Sequence, residues 1–225
     1  MSRVENFGAE ARRARVIAID GPAAAGKGTL ARRLATHLEY AYLDTGLIYR
    51  AVGLRLLDDG KDPDDAVAAA AVARRLSPPD MESEGLRSDR AARAASKVAA
   101  IPAVREALLS FQRQFAEAPP LAAPGAVLDG RDIGTVVCPR ADLKLFVTAS
   151  VEVRAARRLR ELRERGMTAI EGDVLHDMQE RDARDSTRDV SPLERASDAV
   201  VIDTSGLTPD AVFAAALEAV KSSIR

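Results

Sequence analysis

Val16-Ile17-Ala18-Ile19-Asp20-Gly21-Pro22-Ala23-Ala24-Ala25-Gly26-Lys27-Gly28-Thr29 is the stretch that decides the architecture of this chain. The apolar run from Val16 to Asp20 stops abruptly at Gly21-Pro22, as a parallel strand buried on both faces does. Past the turn, Lys27 opens a helix reaching about His37, with Leu30, Leu34 and Leu38 at i, i+4 and i+8 on one face. A strand, a Gly-x-x-x-x-Gly-Lys turn and a helix together cradle phosphate. The glycines let backbone N–H groups wrap an anion, the helix N-terminus adds partial positive charge, and Lys27 adds a full one. Gly21, Ala23, Ala24, Ala25, Gly26, Lys27, Gly28 and Thr29 are the candidate residues for wrapping a nucleotide's phosphates.

The same rhythm continues outward. Ala41-Tyr42-Leu43, Ala126 to Asp129, Leu143 to Val147 and Ala199 to Asp203 read as further strands, the last three as buried ones. Pro209 to Val220 reads as a closing amphipathic helix. Strand alternating with helix predicts an α/β fold, a parallel sheet with helices on both faces. Two stretches break the rhythm. Residues 58–122 are alanine-rich and punctuated by Pro63, Pro78, Pro79 and Pro102, which predicts a mostly helical insertion. Residues 163–190 are dense in charge and poor in large apolar groups, which predicts a mobile flap with little to bury. The core is then 15–57, 123–162 and 191–225, behind a loose N-terminal extension at 1–14.

A chain of 225 residues and net charge −1 suits one domain with insertions. It lacks the broad basic field of a general nucleic-acid binder. One cysteine, Cys138, excludes an intrachain disulfide and suits a reducing compartment, so a cytoplasmic location is expected. Its apolar neighbours Val136 and Val137 make it a packing residue. The polar, arginine-rich start has no apolar segment typical of a secretory signal, and Glu5 and Glu10 interrupt any transit-peptide pattern. No apolar run reaches membrane-spanning length. His37 and His176 stand alone and read as surface or packing residues. A monomer is the expectation.

Several polar groups fall at the ends of the strands. Asp129 closes its strand beside the phosphate turn, where with Thr29 it is a candidate to hold Mg²⁺, directly or through water; the plainer reading is a turn aspartate before Gly130. Asp44 to Arg50 follows a strand, Gly130-Arg131-Asp132 follows another, and Arg181, Arg184, Asp185 and Arg188 lie in the charged stretch. Singly, each is ordinary surface charge. Together they suit phosphoryl transfer, in which planar, permanently charged guanidiniums neutralise crowded phosphate oxygens. No general base stands out, and an ionised phosphate acceptor needs none.

Five motifs resemble those of the bacterial cytidylate kinases: residues 20–29, 43–50, 95–105, 129–137 and 180–188. Gly-Lys-Gly-Thr at 26–29, with the hydroxyl one place later than in the general phosphate motif, is also the reading in nucleoside monophosphate kinases of the adenylate kinase type. The resemblance runs from Val16 to the closing helix. It implies a phosphate-loop core, an acceptor-binding insertion and a lid, with ATP as donor, CMP or dCMP as acceptor and Mg²⁺ as cofactor. By resemblance, Ser96, Arg105 and Asp132 read cytosine; Thr45, Tyr49, Arg50, Gly130, Arg131 and Arg188 hold the acceptor around its phosphate; Arg181 and Asp185 hold its ribose. Lys27, Arg131 and Arg188 are the catalytic candidates, and Arg157, Arg158 and Arg184 the lid candidates, although Arg157 and Arg158 also fit a solvated helix face. Bacterial members usually carry a strand-rich insertion before the Ala-Ser-x-Val-Ala segment, and residues 80–93 lack that hairpin pattern. The rival readings are a kinase for uridylate or a shikimate-type acceptor, and a nucleotide-dependent switch. The absence of an Asn-Lys-x-Asp guanine signature argues against a GTPase.

Overall fold

A computed structural model describes residues 13–81 and 83–223. Most of the expected N-terminal extension, residues 1–12, lies outside the described residues. Five parallel strands form one sheet: β1 (Arg15–Asp20), β2 (Ala41–Asp44), β3 (Gly125–Gly130), β4 (Leu143–Thr148) and β5 (Val200–Asp203), in the order β2-β3-β1-β4-β5. β1 is central, and its side chains alternate between two cores. Val16 and Ala18 face a cluster containing Ala126, Leu128, Ile48 and Val104. Ile17 and Ile19 face a second with Val127, Leu145, Leu34 and Ala216. Burial on both faces is why β1 reads as an unbroken apolar run. β5 departs from the expected buried strand. It lies at the sheet edge, and Val200 and Val201 are 42% and 43% exposed.

The phosphate turn leads into α1 (Lys27–Leu38) on one face of the sheet, where α8 (Pro209–Ser223) packs beside it. α2 (Thr45–Asp58) follows β2 on the other face; the Asp44 carboxylate caps it, accepting from the Leu47 N–H at 3.3 Å. The insertion is helical, as its alanine content predicts. It contains α3 (Ala66–Ala73), capped by Asp65, α4 (Asp89–Val98), capped by Ser88, and α5 (Pro102–Glu117), whose proline occupies the first turn. Short 3₁₀ turns occur at Pro78–Met81 and Glu84–Arg87, and no strand occurs among the described residues of 80–93, in keeping with the missing hairpin pattern there.

The charged stretch differs most from expectation. It follows α6 (Val151–Glu164) and forms a long helix, α7 (Glu171–Thr187). Val174 and Met178 on α7 are buried against Leu159 and Leu162 of α6 and against Ala23 of the phosphate turn. Two apolar residues at i and i+4 suffice to seat a helix whose remaining faces are charged, so composition understated how much it buries.

Candidate active site

The carboxyl ends of β1, β3 and β2 lie side by side, Asp20 beside Gly130 and Asp129 beside Asp44. Such an edge is where ligands bind in parallel α/β sheets. Here it floors a cleft of about 720 Å³, walled by the phosphate turn, α4 and α7.

At the phosphate turn, Gly21 has φ +144°, and a Cβ there would fall 1.9 Å from the Val147 carbonyl oxygen. Ala24 takes a left-handed φ of 57° and Gly26 one of 94°, a curl that lets successive N–H groups converge. Ala23, Ala24, Gly26, Lys27, Gly28 and Thr29 line the cleft. Gly21 and Ala25 do not; Ala25 is buried in the core behind it. Lys27 folds over the turn, its Nζ donating to the Pro22 carbonyl at 2.7 Å. Burial, then Arg131, pushes Lys27 well below the usual lysine range. Burial, then Asp44, pushes the Asp129 carboxyl up. Among the described residues the Asp129 carboxylate accepts a long bond of 3.4 Å from the Tyr42 hydroxyl, and a Cβ on Gly28 would lie 3.4 Å from its Oδ2. A hard oxygen donor beside a phosphate cradle, in a cleft that Thr29 also lines, fits a cation such as Mg²⁺. That ion needs one or two carboxylates and completes its shell with phosphate and water.

Across the cleft from the turn, part-buried Arg131 and buried Asp185 form an ion pair, Nε to Oδ2 at 2.8 Å. Burial opposes both charges, but Asp185 holds Arg131 above its ordinary range and Arg131, then Arg181, holds Asp185 below its own. Arg105 pairs with Asp132, both buried, and its guanidinium lies 5.6 Å from the centre of the Tyr49 ring. Ser96 accepts from Arg184 Nε at 3.4 Å, which brings α4 to α7. Arg50 donates to the Leu86 carbonyl at 3.1 Å. Thr45 spends its hydroxyl proton on the Asp129 carbonyl at 2.7 Å, and a Cβ on Gly130 would strike that hydroxyl. Burial, then Arg131, lowers Arg181 to about 10. Three guanidinium nitrogens are buried without a partner among the described residues: Arg105 Nε, Arg181 Nε and Arg188 Nη2.

Every acceptor candidate lines the cleft, as do Arg158 and Arg184. Arg157 does not. It donates to the Thr204 hydroxyl at 2.9 Å and the Thr204 carbonyl at 2.6 Å, bracing the end of β5. Arg158, one residue on, turns to the cleft and ion-pairs with Asp89 and Glu161. Asp44, which opens the motif at 44–50, lies at the cleft, and sequence reasoning passed over Asp89, Glu161, Arg87 and Arg165, all at the cleft as well. It also passed over Arg154, whose signal was an arginine inside the apolar stripe of Val151, Ala155, Leu159 and Leu162. His37 rests edge-on against Phe213, and burial pushes the Cys138 thiol up to about 11.

The cytidylate kinase family model matches residues 17–222. The chain belongs to the cytidylate kinase family. A cytidylate kinase of Paramagnetospirillum magneticum is 66% identical over 202 residues, 90% of this chain and 95% of the relative. One of Rhodospirillum rubrum is 63% identical over 203 residues, with 90% and 95% covered. Among solved structures, an uncharacterized protein of Eubacterium ventriosum aligns with a TM-score of 0.53 at 15% identity, over 92% of this chain and 99% of its own, a likeness of fold alone. No helix among the described residues is long and apolar enough to cross a membrane.

Proposed function

We propose that this member of the cytidylate kinase family transfers the γ-phosphate of ATP to CMP or dCMP, giving ADP and CDP or dCDP. The observation that carries the acceptor assignment is the set of three buried, unpartnered guanidinium N–H groups of Arg105, Arg181 and Arg188 around one cleft. Buried donors without partners are rare, and a ligand rich in acceptor oxygens and nitrogens supplies what they lack. The Arg105 and Asp132 pair presents a cation and a carboxylate side by side. That combination suits cytosine, which offers acceptors at O2 and N3 and a donor at N4. Uracil reverses the pattern at N3 and C4 and would leave buried groups unpaired.

In this reading, Lys27 and the curled N–H groups hold the donor phosphates in line with the acceptor. Arg131 and Arg188 neutralise charge on the group in flight. Arg181 and Asp185 orient the ribose, and Thr45, Tyr49 and Arg50 bound the acceptor pocket. Thr29 and Asp129 would hold Mg²⁺, which when bound neutralises phosphate charge. The insertion and α7, with Arg158 and Arg184, close over the nucleotides and exclude water, which otherwise would hydrolyse ATP. The enzyme acts as a cytoplasmic monomer.

The test is ADP release with Mg·ATP and CMP, dCMP, UMP, AMP, GMP or shikimate. Turnover with CMP and dCMP alone is expected. Turnover with another acceptor overturns the base-reading assignment, and ATP hydrolysis indifferent to acceptor overturns the kinase reading.

A further inference from the structure

Arg154 is assigned to neither nucleotide, yet it is among the most firmly held charges in the molecule. It lies in the first turn of α6 and is 4% exposed. Nε donates to the Ala149 carbonyl at 3.0 Å. Nη1 and Nη2 grip the Asp182 carboxylate at 3.0 and 2.5 Å. Nη1 also reaches the Ala23 carbonyl at 3.4 Å. One planar group therefore joins the loop before α6, the phosphate turn and α7. A lysine in its place keeps the charge but loses the fork.

Both ends of this link sit next to nucleotide-facing groups. Ala23 precedes Ala24, whose left-handed φ of 57° runs against the preference of an L residue. A peptide plane is rigid, and its N–H points opposite its C=O. Holding the Ala23 carbonyl toward Arg154 therefore turns the Ala24 N–H away from it and sets the curl of the turn. At the other end, Asp182 adjoins Arg181 and precedes Asp185 by three residues on α7. Apolar contact reinforces the link, since Ala23 shares a cluster with Leu159, Val174 and Met178.

We infer that Arg154 is a positioning residue that couples the donor-phosphate turn to the acceptor-facing side of α7, so that each nucleotide strengthens binding of the other. The inference rests on the donor and acceptor reading above. An acceptor that draws Arg181 and Asp185 into place moves Asp182 with them, and Arg154 carries the shift to the Ala23–Ala24 peptide. Linkage makes the effect reciprocal: the donor changes acceptor affinity by the factor by which the acceptor changes donor affinity. A merely structural ion pair would alter stability, or both affinities, and leave that factor alone.

The experiment is calorimetric titration of CMP into the full chain, with and without a saturating β,γ-imido analogue of ATP plus Mg²⁺. Wild type, R154K and D182N are compared, and each variant's melting temperature is recorded. In wild type the analogue is expected to tighten CMP binding about 5-fold or more. In R154K and D182N the factor falls toward one while CMP still binds the free protein, and the double variant is no worse than either single. D182N probes the link from α7 if R154K does not fold. A coupling factor retained in a folded variant, or a factor near one in wild type that binds CMP, overturns the inference alone. No CMP binding in wild type, with or without the analogue, overturns the acceptor reading and the inference with it.

Discussion

The two halves of the cleft, one proposed for the donor and one for the acceptor, are built in opposite ways. The donor half comes from one unbroken stretch, with the end of β1, the turn and the start of α1 following each other in sequence. The acceptor half is gathered from α2, α4, α5, the end of β3 and α7, and its contacts join residues 27, 54 and 88 positions apart. Their electrostatics differ as well. In the donor half burial disfavours charge, with Lys27 pushed down and Asp129 pushed up. In the acceptor half pairing overrides burial only at Arg131, which is raised, and Asp185, which is lowered, whereas burial lowers Arg50, Arg181 and Arg188. Phosphate beside Lys27 would favour its protonated form, whereas the Arg105–Asp132 and Arg131–Asp185 pairs order part of the acceptor half by themselves.

Lys27→Met is expected to have the largest effect. Turnover should fall on the order of 10³-fold, because the donor half has no second cation in its turn. The melting temperature should stay within a few degrees, since a buried and disfavoured charge is lost. Steady-state ADP release and thermal denaturation measure the two. A large drop in melting temperature would mean that Lys27 holds the fold as well as the phosphate.

Arg188→Ala should lower turnover on the order of 100-fold, with the circular dichroism spectrum unchanged. Its Nη2 is without a partner among the described residues, and the substitution forfeits its Nε contact to the Ser191 carbonyl at 2.6 Å and its attraction to Asp185 and Asp132. Near-normal turnover would remove Arg188 from the mechanism and weaken the case for a charged acceptor half.

Asp132→Ser separates specificity from stability. The preference for CMP over UMP should fall about tenfold or more. Loss of the carboxylate leaves Arg105 charged and buried, which should destabilise the fold by roughly 3 kcal/mol in urea titration. An unchanged CMP to UMP ratio would show that Asp132 supports Arg105 without reading the base.

The smallest expected effect is one of pH. Asp20 accepts from the N–H groups of Ile133 and Gly134 at 2.8 and 2.7 Å, yet burial raises its pKa from 3.8 to about 6. The folded state therefore holds this proton to higher pH than the unfolded chain. The carboxyl's contribution to stability falls as pH rises between 3.8 and about 6, and is flat above that. A single proton limits the slope to about 1.4 kcal/mol per pH unit. Asp20→Asn cannot ionise and should lose this slope in urea titrations from pH 4 to 7. A slope equal to wild type would assign the titration to another group.

The strands, the phosphate turn and the helical insertion were legible because each depends on local periodicity or on contiguous turn chemistry. The charged stretch was misjudged for a related reason. Val174 and Met178 seat α7 because α6 and Ala23 present a matching surface, and composition does not report a neighbour. β5 read as buried because apolar runs mark strands without saying which strand lies at the edge. Arg157 and Arg158 are adjacent in sequence but serve β5 and the cleft respectively, a division set by how α6 is rotated.

By itself, the sequence determined the strand–turn–helix that forms the phosphate turn and, through five motifs, the family. A phosphate wrap needs only successive N–H groups and a lysine, and these are consecutive residues. Only the tertiary structure decided that Arg105 meets Asp132, that Arg131 meets Asp185 and that Arg154 joins Asp182 to Ala23. Such pairs form between side chains far apart in the chain. Their meeting depends on how helices are rotated and packed over the sheet, which no local pattern of residues encodes.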